Sequence, residues 1–292
     1  MDFLQLLSKR ILVLDGAVGT SLLAEGCEGS LEALNLTAAE RVEALHHKYI
    51  AAGADIITTN TFCADALSLS QYGLAEQSYH IARAGAQIAR RVADAYVAER
   101  KIFVAGSVGP TTRNLTLATD TSAEQVAQAY AAVASGLIDG GVDIILVESA
   151  MDVKNVRLAV EQVRRCSADV PIIVSAVLSR IAGRVASGAT VEKFLEQLPL
   201  DNIAVVGFNC SGAPSAMEPS LKTLCAKSDK PIIFYPSAGA ERLAANNFAK
   251  QMEGAMRERM VNIVGGCCGT TPQHIEALAR RASCWQTRRV NI

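Results

Sequence analysis

Eight cysteines occur in this 292-residue chain, and three of them stand where they could do chemistry together. Cys267 and Cys268 are adjacent and wrapped in glycine, in Gly265-Gly266-Cys267-Cys268-Gly269. Cys210 ends an apolar run further upstream, Gly207-Phe208-Asn209-Cys210. Three thiolates meeting at one point match a catalytic zinc site, with three protein ligands and a fourth position open; a structural site is usually closed by four. A sulfur substrate can take the open position, and zinc would keep it ionised at neutral pH. Thiolate ligands leave net negative charge on such a cluster, so the bound sulfur stays electron-rich and able to attack a methyl group. A zinc hydrolase would more often use His and carboxylate ligands and need a general base. None of the four histidines, His46, His47, His80 and His274, stands at an evident strand end. Two blander readings stay open. The three could be ordinary core cysteines, as expected of most of the other five, or residues 267 and 268 could form a vicinal disulfide, which a cytosolic setting disfavours.

The elements that must bring these cysteines together can be found by periodicity. Short Ile- and Val-rich runs recur at Ile11–Leu14, Asp55–Thr58, Ile102–Ala105, Asp143–Val147, Pro171–Val177, Ile203–Phe208, Pro231–Tyr235 and Val261–Val264. Continuous apolar runs suit parallel strands buried on both faces. Between and after them lie amphipathic or Ala-rich stretches: Ala38–Ala52, Ala75–Glu99, Ser122–Gly140, Val153–Cys166, Thr190–Gln197, Pro214–Ala226, Phe248–Arg257 and Pro272–Arg281. Strict alternation of eight strands and eight helices predicts an α/β fold, a single (β/α)8 TIM barrel over residues 1–292, ahead of an open doubly wound sheet. Active sites of such barrels sit at the C-terminal ends of the strands. Asp15-Gly16, Thr59-Asn60-Thr61, Gly106-Ser107, Glu148-Ser149, Asn209-Cys210, Pro236-Ser237 and Gly265 to Cys268 all follow apolar runs. Neighbouring side chains on a strand point opposite ways. Adjacent Cys ligands therefore need an unusual backbone, and Gly265, Gly266 and Gly269 are expected to supply it.

Composition narrows the classes further. Half of the residues are hydrophobic and a fifth charged, with a formal net charge of −1. That suits a globular core and gives no electrostatic support for a nucleic-acid or anionic-membrane partner. No apolar stretch reaches the length of a transmembrane helix. Lys9 and Arg10 lie between two short apolar runs rather than ahead of one, unlike a secretory signal. A cytoplasmic protein is expected.

The run Val264 to Ile275, Val-Gly-Gly-Cys-Cys-Gly-Thr-Thr-Pro-Gln-His-Ile, resembles the C-terminal zinc motif of the homocysteine S-methyltransferases. The closest likeness is to the homocysteine-binding module of the cobalamin-dependent methionine synthases. Leu14 to Thr20, Gly53 to Phe62, Ala105 to Pro110, Leu146 to Ser149 and Gly207 to Cys210 resemble further motifs of that family, in the same order. The resemblance implies a β/α barrel, zinc held by Cys210, Cys267 and Cys268, and homocysteine as the methyl acceptor. It implies that Asp15 and Glu148 face the amino-acid end of the substrate, with Glu148 pairing its ammonium group. The backbone at Gly16 and Ala17 would take the substrate carboxylate. Asp15 has a competing reading as a cap or strand-end acceptor. Asn60 and Asn209 either touch substrate or only order the strand-end loops. Three positions depart from the family pattern: Thr58 where an acid is usual, Ser237 where Asn is usual, and Ser149 for a common Thr.

The methyl donor implied by the closest likeness is a methyl-corrinoid, methylcobalamin, supplied in trans by a separate corrinoid protein. Free-standing relatives that use S-methylmethionine or betaine give the alternative. A phosphate-binding barrel is a further reading, since the loops at Ser237 to Ala240 and Gly265 to Thr271 are rich in small residues, but it leaves the Cys pair unexplained. A zinc- or thiol-binding barrel without catalysis is the non-enzyme reading.

Overall fold

The computed structural model describes residues 2–179 and 183–290. Eight parallel strands run through it: β1 (Leu12–Val13), β2 (Ile56–Thr58), β3 (Phe103–Val108), β4 (Ile144–Ala150), β5 (Ile172–Val177), β6 (Val205–Cys210), β7 (Ile232–Pro236) and β8 (Ile263–Val264). Each pairs with its sequence neighbour, and β8 pairs with β1. A parallel bridge from Leu14 to Ile56 closes the ring between β1 and β2. Asp15 N–H donates to Ile56 O at 2.9 Å and Asp55 N–H to Val13 O at 2.7 Å across this seam. The result is the expected (β/α)8 TIM barrel.

Eight helices follow the strands in turn: α1 (Ala39–Ala51), α2 (Ser78–Asp94), α3 (Ala123–Asp139), α4 (Val153–Cys166), α5 (Val191–Gln197), α6 (Pro214–Lys227), α7 (Ala245–Arg257) and α8 (Pro272–Ala282). The sequence carries their start signals. Ser122 caps α3 through a capping box with Gln125, which satisfies orphan N–H groups of the first turn. Pro214 and Pro272 open α6 and α8, where the missing N–H costs nothing. Among the described residues no helix is long and apolar enough to cross a membrane.

Strand residues alternate between two cores. Outward-facing Val13, Ile57, Val104, Ile145, Val174, Val206 and Phe234 pack under the helices. Inward-facing Leu12, Ile56, Phe103, Ile144, Ile173, Val205, Ile233 and Ile263 fill the lower barrel. A short helix, Phe3–Leu7, plugs the N-terminal end: Phe3 meets Phe103 edge-on with ring centroids 5.5 Å apart. Buried Asn262, just before β8, ties both chain ends beneath the barrel. Its amide donates to Leu7 O at 3.1 Å, Thr287 Oγ1 at 3.0 Å and Arg288 O at 2.9 Å.

Several elements extend past the apolar runs. Strands β3, β4 and β6 continue to Val108, Ala150 and Cys210, so Ser107, Glu148 and Asn209 lie on strands and not after them. Polar side chains are tolerated there because they face the lumen and find partners. The expectation for the remaining cysteines holds only for Cys27, which is buried. Cys63, Cys166 and Cys225 are partly open, and Cys284 is exposed.

Two measurements check this framework. Fully buried Asp15 takes both of its strong donors from Thr58: the backbone N–H at 2.8 Å and Oγ1 at 3.0 Å. Thr58→Val strips one of them from the β1–β2 seam. Urea denaturation at pH 7 should report a loss of about 1–3 kcal/mol. Elsewhere, His46 on α1 is fully buried with both ring nitrogens unpartnered among the described residues. Burial, helped by His47, lowers its pKa from 6.5 to about 4. The folded state therefore resists a proton that the unfolded chain accepts. The contribution is complete above about pH 6.5 and falls as pH drops toward 4, by about 3 kcal/mol in all. His46→Leu should flatten this limb relative to the parent when urea midpoints are compared between pH 7 and 4.5.

Candidate active site

The upper lumen is polar where the lower one is apolar. It opens into a cavity of about 750 Å³ lined by Asp15, Gly16, Ala17, Thr58, Asn60, Ser107, Glu148, Tyr235 and all three cysteines of the cluster, among others. Of titratable carboxylates, Asp15, Glu32 and Glu148 line it; no Lys, Arg or His does among the described residues.

Cys210 ends β6, and Cys267 and Cys268 follow β8. Their sulfurs all lie within 4.8 Å of one another, with Cys210 Sγ 3.8 Å from Cys268 Sγ. No other His, Cys, Asp or Glu joins this group among the described residues. Hydrogen bonds from the Cys267 and Cys268 thiols pull the Cys210 pKa down to about 3. The same contacts with Cys210 raise the other two, Cys267 most strongly.

The backbone that presents the cysteines differs from the sequence expectation in one respect. Positive φ falls on Cys210 itself (56°), Ser211 (54°), Gly212 (146°) and Gly269 (79°), not on Gly265 or Gly266. Those two glycines serve close approach instead. A Cβ on Gly265 would lie 2.7 Å from Leu14 Cβ, and one on Gly266 would run into Thr270. Cys267 starts a tight turn closed by Thr270 N–H to Cys267 O at 3.0 Å. Gly269 takes the third position, where a left-handed residue is needed. This turn lets two adjacent thiols face one point.

Glu148 sits in the cavity wall. Its carboxylate accepts from Ser107 Oγ at 2.5 Å and from Tyr235 OH at 3.1 Å. Burial raises its pKa, although both hydroxyls oppose the shift. No cationic side chain pairs with it among the described residues. Burial likewise pushes Asp15 well above the usual carboxylate range, and its two oxygens are spent on Thr58. Gly16 is where the chain passes hard against a neighbour: a Cβ there would come within 2.8 Å of the Tyr49 ring. Ala17 N–H donates to Thr270 Oγ1 at 3.2 Å, and Ala17 O accepts from Tyr49 OH at 2.8 Å. Asn60 lines the wall but spends its amide protons on Leu31 O at 2.7 Å and Asn35 Oδ1 at 3.1 Å. It clamps the segment after β1 across the mouth. Ser237 donates to Gly212 O at 3.0 Å and so braces the loop behind Cys210.

Three residues of this site carried little signal in the sequence. Tyr235 lay inside an apolar run, Ser107 was one of many strand-end residues, and Glu32 belonged to no periodic element. Glu32 accepts from Cys63 N–H at 3.0 Å and Ser30 Oγ at 3.1 Å. Alternation along β3 and β7 could have found the first two, since Ser107 and Tyr235 share the inward parity of Phe103 and Ile233.

Known proteins resemble the chain over most of its length. A family model described as homocysteine S-methyltransferase matches residues 12–282. Methionine synthases of Mycobacterium tuberculosis (strain ATCC 25618 / H37Rv) and Mycobacterium leprae (strain TN) are each 34% identical over 300 residues, 95% of this chain. The chain spans about a quarter of the length of these relatives, 25% in each case. Among solved structures, the homocysteine methyltransferase MmuM from Escherichia coli superposes in its oxidised form with a TM-score of 0.79 at 26% identity, over 93% of this chain and 96% of that one. Its metallated form gives 0.78 at 25%, over 94% and 96%. A 2-naphthoyl-CoA reductase complex, 11% identical with a TM-score of 0.57 over 91% of this chain and 50% of that one, shares the fold alone. The chain belongs to the homocysteine S-methyltransferase family of enzymes.

Proposed function

We propose that residues 1–292 form one homocysteine-binding barrel that transfers a methyl group to the thiol of homocysteine, giving methionine, with zinc held by Cys210, Cys267 and Cys268. The observation that carries this reading is the three-sulfur cluster opening into an acidic cavity. Its spacing suits the metal: bonds of about 2.3 Å in a tetrahedron put sulfurs about 3.8 Å apart, and Cys210 and Cys268 are 3.8 Å apart. The all-thiolate donor set also suits zinc. When bound, zinc would lower the pKa of the substrate thiol and keep it nucleophilic at neutral pH.

The chain's own residues supply orientation. Glu148 takes the substrate ammonium, which offers a cationic partner to a carboxylate otherwise held by hydroxyls alone. The strand-end backbone N–H of Gly16 receives the substrate carboxylate, with Ala17 beside it held in place by Thr270 and Tyr49. Asp15 fixes that stretch through Thr58, and Asn60 holds the wall beside it. The sulfur then faces the cavity, its lone pair aimed at the incoming methyl carbon. The S–C bond forms as the donor departs with the electrons of its own bond to methyl. Positioning of two reactants in this way is worth several kcal/mol of barrier.

The donor is read as a methyl-corrinoid carried by a separate protein. Similarity to methionine synthases over 95% of the chain supports the corrinoid as donor. So do the exposed apolar side chains Leu23, Phe62, Tyr72 and Met151 around the cavity, since exposed apolar surface at a rim suits a macromolecular partner. A small cationic donor, S-methylmethionine or betaine, is the second reading. The cavity's three carboxylates and lack of basic side chains favour it.

Purified, zinc-loaded protein should form methionine from homocysteine when assayed with methylcobalamin, S-methylmethionine and betaine in parallel. Turnover with methylcobalamin alone supports the corrinoid reading, and turnover with a small donor the second. Zinc retention with no turnover in any arm would leave a thiol-binding barrel without catalysis. Cys267→Ala should lower metal affinity more than about 10-fold and abolish turnover; full activity in that variant would sink the mechanism. Glu148→Gln should raise KM for homocysteine about 10–100-fold while zinc content, measured by mass spectrometry of the metal, stays at the parental level.

A further inference from the structure

Asn209 is fully buried on β6, directly before Cys210. All four of its hydrogen-bonding positions are occupied. Oδ1 accepts from Ser149 N–H at 3.0 Å and from Ser175 Oγ at 2.9 Å. Nδ2 donates to Ser149 Oγ at 2.8 Å and faces Cys267 Sγ at 3.9 Å, within reach of an N–H···S bond. The amide cannot be turned over: the reversed orientation would set its NH2 group against the Ser149 N–H, donor against donor. The N–H aimed at sulfur is therefore fixed by the other contacts.

These contacts join two parts of the site. Ser149 has φ 54°, and the β4–β5 register shifts between Val147 and Ala150. This irregularity lies at Glu148 and Ser149. Bulges of this kind re-aim side chains near active sites, and a non-glycine residue at positive φ persists only where its surroundings hold it. Asn209 supplies two of the bonds that hold it. The same amide reaches Cys267, the most buried thiol of the cluster, where an ionised sulfur needs a donor.

We propose that Asn209 is a positioning residue that fixes the Cys267 thiolate through an N–H···S bond and, with the same amide, fixes the Glu148-Ser149 bulge. The inference rests on the zinc-thiolate reading above. An N–H donor withdraws charge from the sulfur it faces. Cys267 is thereby made a poorer nucleophile than an unbonded thiolate beside it, which helps methyl transfer go to the substrate and not to the protein. The residue thus couples two halves of the pocket, the carboxylate that takes the ammonium and the cysteine beside which the sulfur reacts.

The test is Co(II) binding by the full chain, read from the sulfur-to-cobalt charge-transfer band and by competition with a chelator. Asn209→Leu removes all four bonds and should weaken Co(II) binding about 10–100-fold. Asn209→Asp keeps acceptors for the Ser149 N–H, Ser149 Oγ and Ser175 Oγ but has no N–H for Cys267. Its charge-transfer band should move to lower energy, because the sulfur becomes more electron-rich. Ser175→Ala removes one strand clamp and leaves the N–H···S contact, so its band should match that of the parent. If Asn209→Leu does not fold, the Asp and Ala variants still decide the question. A band in Asn209→Asp identical to the parental one would mean that Asn209 only clamps strands, and the proposal fails. A parent that binds Co(II) without any charge-transfer band would overturn the metal reading and this inference together, an outcome distinct from a parental band unmoved by the variants.

Discussion

The site depends on a seam only a few residues wide. Strands β1 and β2 are short, and the barrel closes between them through one bridge, two backbone hydrogen bonds and the Asp15 carboxylate on Thr58. The seam matters to the cysteines because β1, the strand paired with β8, is held on its other side only here. Gly266 N–H donates to Asp15 O at 3.1 Å, and Cys267 N–H to Pro236 O at 2.8 Å. The turn bearing Cys267 and Cys268 is thus held by both neighbours, β1 and β7. Parting the seam would leave β1 an edge strand held by β8 alone, and the Asp15 carbonyl that supports this turn would lose its anchorage on β2.

Within the closed ring, one parity rule sorts the chemistry. Inward-facing residues are apolar near the strand starts and polar near the strand ends, while outward-facing residues stay apolar throughout. Burial of a polar group is tolerable only when its hydrogen bonds are met. The upper lumen meets that demand internally. Ser107 and Tyr235 serve Glu148, Thr58 serves Asp15, and Ser149 and Ser175 serve Asn209. The hydroxyl-rich composition of the strand ends is the physical counterpart of two carboxylates and an amide placed away from bulk water.

Much of this was legible in the sequence because parallel strands buried on both faces leave a strong apolar signature. The eight runs, the helices between them and the pairing of Cys210 with Cys267 and Cys268 follow from that signature and from the glycine-wrapped motif. What escaped was geometry that composition does not encode. Strand ends at Glu148 and Asn209 were hidden because polar lumen residues interrupt the apolar pattern. Gly265 and Gly266 looked like sources of unusual φ, yet they make room for Leu14 and Thr270, and Cys210 bears the left-handed backbone itself. Asn60 sits at a strand end as expected, but its contacts are with the segment that folds over the mouth. The Phe3–Leu7 plug is too short to show a helical period.

Asn262 holds Leu7 on one side and Thr287 and Arg288 on the other, at the end of the barrel opposite the cysteines. The start and finish of the fold are therefore neighbours, moored to one amide. A short peptide could splice them, and the chain could be cut anew in an outer loop, without disturbing the ring of strands. The same mooring makes the floor of the barrel the natural anchoring face for immobilisation on a surface or electrode. A protein tethered there would hold its sulfur cluster upward, toward whatever arrives from solution.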